Sequence, residues 1–512
     1  VAGPHSRSVD RKIGLTSSRQ IAILLPVPDD DSTAMLGLLT ELMARAPARC
    51  TYAEARHVTT DQEDLLVRNG RVEQIDSESA DGIGVRVRAG GGWGFAATRD
   101  TTNAGMERAL TRALAIAESQ PATLVGPLAP VPPARGHWSC AYHQDPLAIS
   151  LEDKLELLFA AEAALRTDTR IVRSEAECSS RRVRSAFAST EDAALTQERV
   201  ECGAAISAIA LDGDELQVRS YPSAHGGSAA CAGWEHVLSF ELVQHAPRVA
   251  AEAIELLTAA QCPEGRATIV LDGDQLALQI HESIGHALEL DRVLLGEASY
   301  AGTSWVSPTD LGALRYGSEQ LNITADATLP GGLGSFGWDD EGVAAQRTPL
   351  IEAGVLRAAL SDRQSAAAIG LERSGGCARA DGFARQPIVR MTNVSIEPGD
   401  AGALEDLIAD TGEGLLLQTN RSWSIDDRRL HFQFATEAAR EIRDGELGRL
   451  LRNASYAGVT PQFWRSMDAV CSAREWRLRG LGNCGKGEPG QLMRVSHGTA
   501  PARFRDVQVG VA

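Results

Sequence analysis

From residue 51 to residue 99 the chain alternates apolar and polar residues, and two turn signals cut that alternation into segments that fold back on one another. Asn69-Gly70 joins LLVR to RVEQI, and Ala89-Gly90-Gly91-Gly92 joins GVRVR to WGFAA. A period of two sends successive side chains to opposite faces of a strand, and Asn-Gly tolerates the left-handed backbone that a tight hairpin needs. Two successive hairpins commit this part of the chain to an antiparallel sheet.

Helical spacing appears at Thr102 to Ala117 and at Leu151 to Ala164, the second opening on the capping box Ser150-Leu-Glu-Asp153, with the loop PLAPVPPARG between them. RIVRSEAE, VRSAFAS, AAISAIALD and LQVRSY read as further antiparallel strands, followed by a long helical pattern from Val237 to Ala259. A new unit opens with the buried-strand pattern ATIVLDG, then Asp274 as a helix cap for QLALQIHESIGHALEL. Beyond it, TPLIEAGVLRAAL turns at Glu352-Ala353-Gly354, PIVRMTNVSI reads as one strand, and LHFQF to AREIRDGEL repeats the hairpin pattern. One helix, from about Ala403 to Ala409, interrupts these strands.

At 512 residues the chain exceeds a single hydrophobic core. The expectation is an α+β protein of two domains. Residues 35–262 form an N-terminal α/β sandwich-like domain with antiparallel hairpins, and residues 263–512 a mostly antiparallel β domain carrying the motif-bearing helix. Residues 1–34 precede the amphipathic run MLGLLTELMARA and are expected to lie outside the fold.

Fifty basic against 68 acidic residues leave a net charge of −18, which repels phosphate backbones and anionic lipid, so nucleic acid and membrane surfaces are poor partners. The short basic runs Arg181-Arg182-Val183-Arg184 and Arg428-Arg429 read as solvated faces. Nine scattered cysteines with no CxxC pair argue against a disulfide framework and for a reducing cytoplasm. No apolar run approaches the roughly 18 residues that span a bilayer, and Ile21 to Val27 is too short for a signal sequence.

The stretch HESIGHALELD, residues 281 to 291, carries chemistry. Zinc catalysis needs neutral imidazoles or thiolates as ligands, one open position for water, and a carboxylate beside the metal to take a proton. His281, Glu282 and His286 supply three of these parts. Histidines four apart on a helix lie about 40° from each other, whereas five apart they lie about 140° apart. A π-type turn absorbs the extra residue, and Gly285 lowers the cost of that distortion. A thiolate or third imidazole must come from elsewhere: Cys484, Cys471, Cys377 and His431 all qualify on chemistry alone.

The longer string resembles the TldD/PmbA family, once described as modulators of DNA gyrase, whose peptidase members carry HExxxH followed by Gly-His-x-Leu-Glu-x-Asp. Here the matching residues are His281, Glu282, Gly285, His286, Leu288, Glu289 and Asp291. YAEARHVTTDQEDLLVRNGRVE and DGIGVRVRAGGGWGFAAT resemble the family's opening hairpins. SFGWDDEGVAAQRTPLIEAGVLRAALSD, PIVRMTNVSIEPG and GNCGKGEPGQ resemble its C-terminal signatures. The resemblance implies that Cys484, in Cys484-Gly485-Lys486, is the third ligand of one zinc per chain, and that Glu282 is the general base. It implies a peptidase acting on small or unfolded peptides bound in extended form, working as a homodimer or beside a homologous subunit. A non-catalytic peptide-binding or scaffold subunit is the alternative. Two departures stand out: Gly487-Glu488-Pro489 lengthen the tail before Gly490-Gln491, and NRSWSIDDRRLHF occupies a position that tends to be glycine-rich. Arg390, Asn393 and His431 are weighed as oxyanion donors and left out of the catalytic set.

Overall fold

The computed structural model describes residues 30–120, 126–296 and 302–510. Asp30–Ala44 is helical, so residues 30–34, expected outside the fold, begin the first helix; residues 1–29 of that extension lie outside the described residues. The expected hairpin is present as two 19-residue strands, Cys50–Arg68 and Arg71–Ala89, which turn at Asn69 (φ 48°) and Gly70 (φ 72°). Gly92–Thr98 extends it, and Ile171–Ser189 pairs along the opposite edge of Cys50–Arg68. Here the sequence reading is corrected: RIVRSEAE and VRSAFAS belong to one continuous strand, which then pairs with Ala194–Asp212. Arg135–Ser139, Glu215–Tyr221 and Ser228–Ala230 complete an eight-stranded sheet.

Helices cover this sheet where the helical spacing, and at Ser150 the cap, predict them. Thr102 Oγ1 accepts the Gly105 N–H at the start of Asn103–Ser119, and Ser150 Oγ accepts the Asp153 N–H at the start of Leu151–Leu165. The first buries Met106, Leu110 and Leu114, while the second packs Leu158 and Leu165 with the helix Leu242–Thr258. The expected helix from Val237 to Ala259 is instead two, Trp234–Leu238 and Leu242–Thr258. Glu241 takes a left-handed conformation (φ 49°) between them, which ends one run of helical hydrogen bonds and starts another.

The second sheet closes on itself. Gly265–Leu271 pairs in parallel with Gly414–Ile425 and antiparallel with Ala502–Val509; His431–Arg443 pairs with both Gly414–Ile425 and Ser455–Val459, and Ser455–Val459 returns to Ala502–Val509. Five strands thus form a ring, a closure that strand patterns alone do not reveal. Phe434, Tyr456, Phe463, Trp464 and Phe504 stack in its core, each worth roughly 1.5–3 kcal/mol of burial. PIVRMTNVSI, expected as one strand, is split into Ile388–Val389 and Val394–Ile396. Overall the protein is a mixed α+β fold dominated by strands, with ten α-helices among the described residues. All nine cysteines are unpaired, and no described helix is long and apolar enough to cross a membrane.

Gly273–Ile280 follows directly from the ring strand Gly265–Leu271. Its cap is Asp272, whose Oδ1 accepts the Gln275 N–H at 2.8 Å, and not Asp274 as expected. Every residue from Gln275 to Leu290 is buried. Polar side chains on this helix are therefore paired inside the core: Gln275 and Gln279 both meet the Tyr456 hydroxyl, and the Trp464 Nε1–H donates to Ser283 Oγ at 2.9 Å. This clamping holds the following turn rigidly.

Candidate metal centre

At His281 the helix changes pitch. His281–Gly285 forms one π-helical turn, with the His286 N–H bonded to the His281 carbonyl five residues back, and His286–Leu288 continues as a 3-10 turn. The extra residue returns both imidazoles to one side, their ring centroids 4.7 Å apart and their planes at 84°. The expected distortion is present, but the reason for Gly285 differs. Its φ of −54° and ψ of −61° suit any residue, whereas an added Cβ would lie 2.1 Å from Met391 Sδ. The glycine is needed for close packing.

Cys484, on the strand Arg477–Lys486, arrives from 198 residues away and places its Sγ 3.4 Å from His286 Nε2. One ligand atom from each of His281, His286 and Cys484 lies within 4.8 Å of the other two, and all three residues are buried. Cys377 and Cys471 lie outside this group, and burial pushes each thiol up to about 12. His431 is 64% exposed and bonded to Asp426, away from the cluster.

A layer of hydrogen bonds decides which ring nitrogens face the cluster. His497 Nδ1 is 2.7 Å from the Val394 carbonyl, which can only accept, so His497 Nδ1 carries the proton and Nε2 is left as an acceptor. That Nε2, 2.9 Å from His281 Nδ1, then requires an N–H on His281 Nδ1 and leaves His281 Nε2 with its lone pair. Likewise His286 Nδ1 donates to Glu289 Oε2 at 2.9 Å, freeing Nε2. Burial alone would raise the Glu289 carboxyl, but Lys486 and His286 hold it well below its usual range. Lys486 Nζ in turn binds both Asp291 oxygens (2.7 and 2.9 Å) and the Val389 carbonyl.

The electrostatics favour ligand-ready forms. Burial depresses His281 to about 4 and His497 to about 3, so both imidazoles are neutral at pH 7. Burial opposes ionisation of Cys484, yet the adjacent His286 and Arg390 bring its thiol below the ordinary value. Two imidazoles and a cysteine sulfur form a donor set that suits zinc and leaves a coordination position for water.

Glu282 projects from the same turn into a cavity of about 170 Å3 that it shares with His281, His286, Cys484, Trp423 and Arg429. Arg429 Nη1 donates to Glu282 Oε2 at 2.7 Å. Burial raises the carboxyl, but His286, His281 and Arg429 together hold Glu282 below its ordinary value, as a carboxylate. Arg429 is thus no solvated face: it reaches this wall from the tip of the hairpin joining Gly414–Ile425 to His431–Arg443, within the segment that departs from the family pattern. Arg390 instead braces the strand of Cys484, donating to the carbonyls of Cys484 and Gln491, and Asn393 binds the Gly334 N–H and the Asp326 carbonyl. Sequence reasoning missed His497 and the Arg429–Glu282 pair. No local pattern links His281 to a residue 216 positions away, although Glu289, Asp291 and Lys486 lie within the quoted motif strings.

Three family models match nearly the whole of this architecture: PmbA/TldA metallopeptidase domain 1 over residues 53–117, the central domain over 144–261 and the C-terminal domain over 264–511. The chain belongs to the PmbA/TldD metallopeptidase family. Among family members, it is 31% identical to a metalloprotease of Methanothermobacter thermautotrophicus, covering 90% of this chain and 96% of the relative. It is 25% identical to the metalloprotease TldD homolog of Haemophilus influenzae, over 96% and 99% of the two chains. The fold superposes on the crystal structure of TldE from Thermococcus kodakarensis with a TM-score of 0.72 at 15% identity, over 93% of this chain and 100% of that one.

Proposed function

We propose that this protein is a zinc-dependent peptidase, one metal per chain, with His281, His286 and Cys484 as ligands and Glu282 as general base. The observation that carries the reading is the convergence of three buried N and S donors within 4.8 Å, their tautomers preset and a carboxylate on the adjoining wall. Zinc held there would supply a water acidified toward neutral pH and a Lewis acid for the peptide carbonyl. Glu282 takes the proton of the attacking water and returns it to the departing amine. Arg429 keeps Glu282 ionised and presents a guanidinium on the cavity wall for the oxygen that gains negative charge as the carbonyl is attacked.

The substrate in this reading is a small or unfolded peptide held in extended form, because the cavity is too narrow for a folded domain. The functional units are residues 35–262 and 263–512, and the chain pairs with a homologous subunit or with itself; the likeness to TldE supports a related subunit as partner. Digestion of an unstructured peptide library, read by mass spectrometry with and without a chelator, tests the proposal. Wild-type protein is expected to cut only when metal is present, and Glu282→Gln to retain zinc without cutting. Cleavage that survives both changes rejects the mechanism. Zinc-free protein that stays folded and binds peptides without cutting them favours the scaffold reading.

A further inference from the structure

A second buried cluster of charge lies on the sheet of the N-terminal half. Arg181 and Glu201 face each other in register on the paired strands Ile171–Ser189 and Ala194–Asp212, the arrangement in which opposite charges normally join. They do not join. The Arg181 Nε is buried with no hydrogen-bond partner among the described residues, and so are both Glu201 oxygens. The ion-pair contacts of Glu201 are loose, at 3.6 Å to Arg494 and 3.8 Å to Arg199. Arg379 completes a set of four guanidinium groups around this one carboxylate.

Arg181, Arg199 and Arg379 line a cavity of about 50 Å3 between this sheet and the segments 336–340, 379–382 and 492–493. Its acidic neighbours are already engaged. Asp339 accepts the backbone N–H groups of Glu341, Val343 and Ala378; Asp340 binds Arg56 at 3.0 Å; and Asp381 accepts the Leu492 N–H at 3.0 Å. Arg379 is spent on the carbonyls of Met391 and Leu333. Burial first, and then the nearby Arg199 and Arg390, disfavour its charge, while Asp340 and Glu201 favour it. The protein as a whole carries −18, so this gathering of arginines is local. Desolvated cations held only at long range from their anions are unfavourable, and one oxyanion of carboxylate or phosphate size in this space would accept from the unpartnered Arg181 Nε–H and from Arg199 beside it.

We propose that the arginine-lined cavity is an anion-binding site for a carboxylate or phosphate group, with Arg181 and Arg199 as its principal donors. The site lies along the sheet from the metal cavity. Residues 177 and 179 line a neighbouring cavity, 181, 183 and 185 this one, and the neighbouring cavity shares His225, Gly480 and Asn483 with the metal centre. An acidic group on a bound peptide and a free phosphate are both sources of the required chemistry.

The test uses the full chain and inorganic phosphate, titrated calorimetrically at constant ionic strength against chloride, with no turnover involved, so its outcome is independent of the peptidase reading. Wild-type protein is expected to bind one phosphate per chain. Arg181→Gln should weaken binding at least tenfold, and Glu201→Gln, which removes the competing carboxylate, should tighten it severalfold; a purely structural role predicts no such opposite pair. Displacement of phosphate by an aspartate-containing peptide, but not by its asparagine counterpart, assigns the site to substrate; displacement by neither assigns it to a free anion. Absence of saturable phosphate binding, or equal binding by wild type and both variants, overturns the proposal.

Discussion

Two buried clusters of charge, one beside His286 and one around Glu201, are built in contrasting ways. Around His286 the contacts are short: Glu289, Lys486, Asp291 and the imidazole meet at 2.7–3.4 Å, although Glu289 Oε1 and Arg292 Nη1 are buried with no hydrogen-bond partner among the described residues. Around Glu201 the ion-pair contacts stay at 3.6–3.8 Å, and the Arg181 Nε–H and both Glu201 oxygens lack a hydrogen-bond partner among the described residues. The first arrangement fixes protons and orientations before any ligand arrives, whereas the second holds its charges at longer range.

If the contrast is real, removing a member of the short-range network is far more damaging than removing a member of the long-range one. Glu289→Ala strands the fully buried Arg292, while Lys486 keeps Asp291, and is expected to cost about 3–5 kcal/mol of unfolding free energy by denaturant titration. A loss under 1 kcal/mol would show that the short-range network is not integral to the fold.

The metal-free protein should also reveal its buried neutral imidazole through pH. His281 titrates at about 4 when folded and 6.5 otherwise, so as pH falls the unfolded chain takes up this proton first. This contribution is complete above pH 6.5 and shrinks as pH drops toward 4, by about 3 kcal/mol in all. Chelator-treated wild type and His281→Gln should therefore diverge in denaturation midpoint below pH 6.5; parallel profiles would mean that the ring is not held neutral.

A smaller effect is expected at His497, which is hydrogen-bonded to His281. His497→Phe should weaken zinc binding by about 10–100-fold in a chelator competition, while His497→Gln, whose amide oxygen can accept the His281 N–H, should recover part of it. Equal affinity in all three proteins would remove the tautomer argument. Smallest of all, Arg181→Gln should cost about 1 kcal/mol of stability, because its Nε has no hydrogen-bond partner to lose and Arg199 and Arg494 remain beside Glu201. A cost near that of Glu289→Ala would erase the distinction between the clusters.

The features that can be read from sequence are those set by neighbouring residues. Asn69-Gly70, the cap at Ser150 and the π turn at His281 each depend on a window of a few residues, and each is found where the pattern places it. The left-handed Glu241, the cap at Asp272 in place of Asp274 and the split between Val389 and Val394 depend on what the chain packs against, so a one-dimensional pattern cannot supply them. The same holds for the basic runs. Arg181-Arg182-Val183-Arg184 resembles a solvated face in sequence, yet Arg182 is paired with Glu198 at 3.1 Å and Arg181 lines a cavity. His497 and Arg429 join the site only through closure of the ring and the return of the final strands, which local spacing does not encode.

The central claim is that His281, His286 and Cys484 share one zinc ion, and metal content measures it most directly. After purification and dialysis against trace zinc, elemental analysis should find about one zinc per wild-type chain and per Glu282→Gln chain, and a small fraction of that in folded Cys484→Ser. Full zinc in Cys484→Ser, or none in wild type, would contradict it.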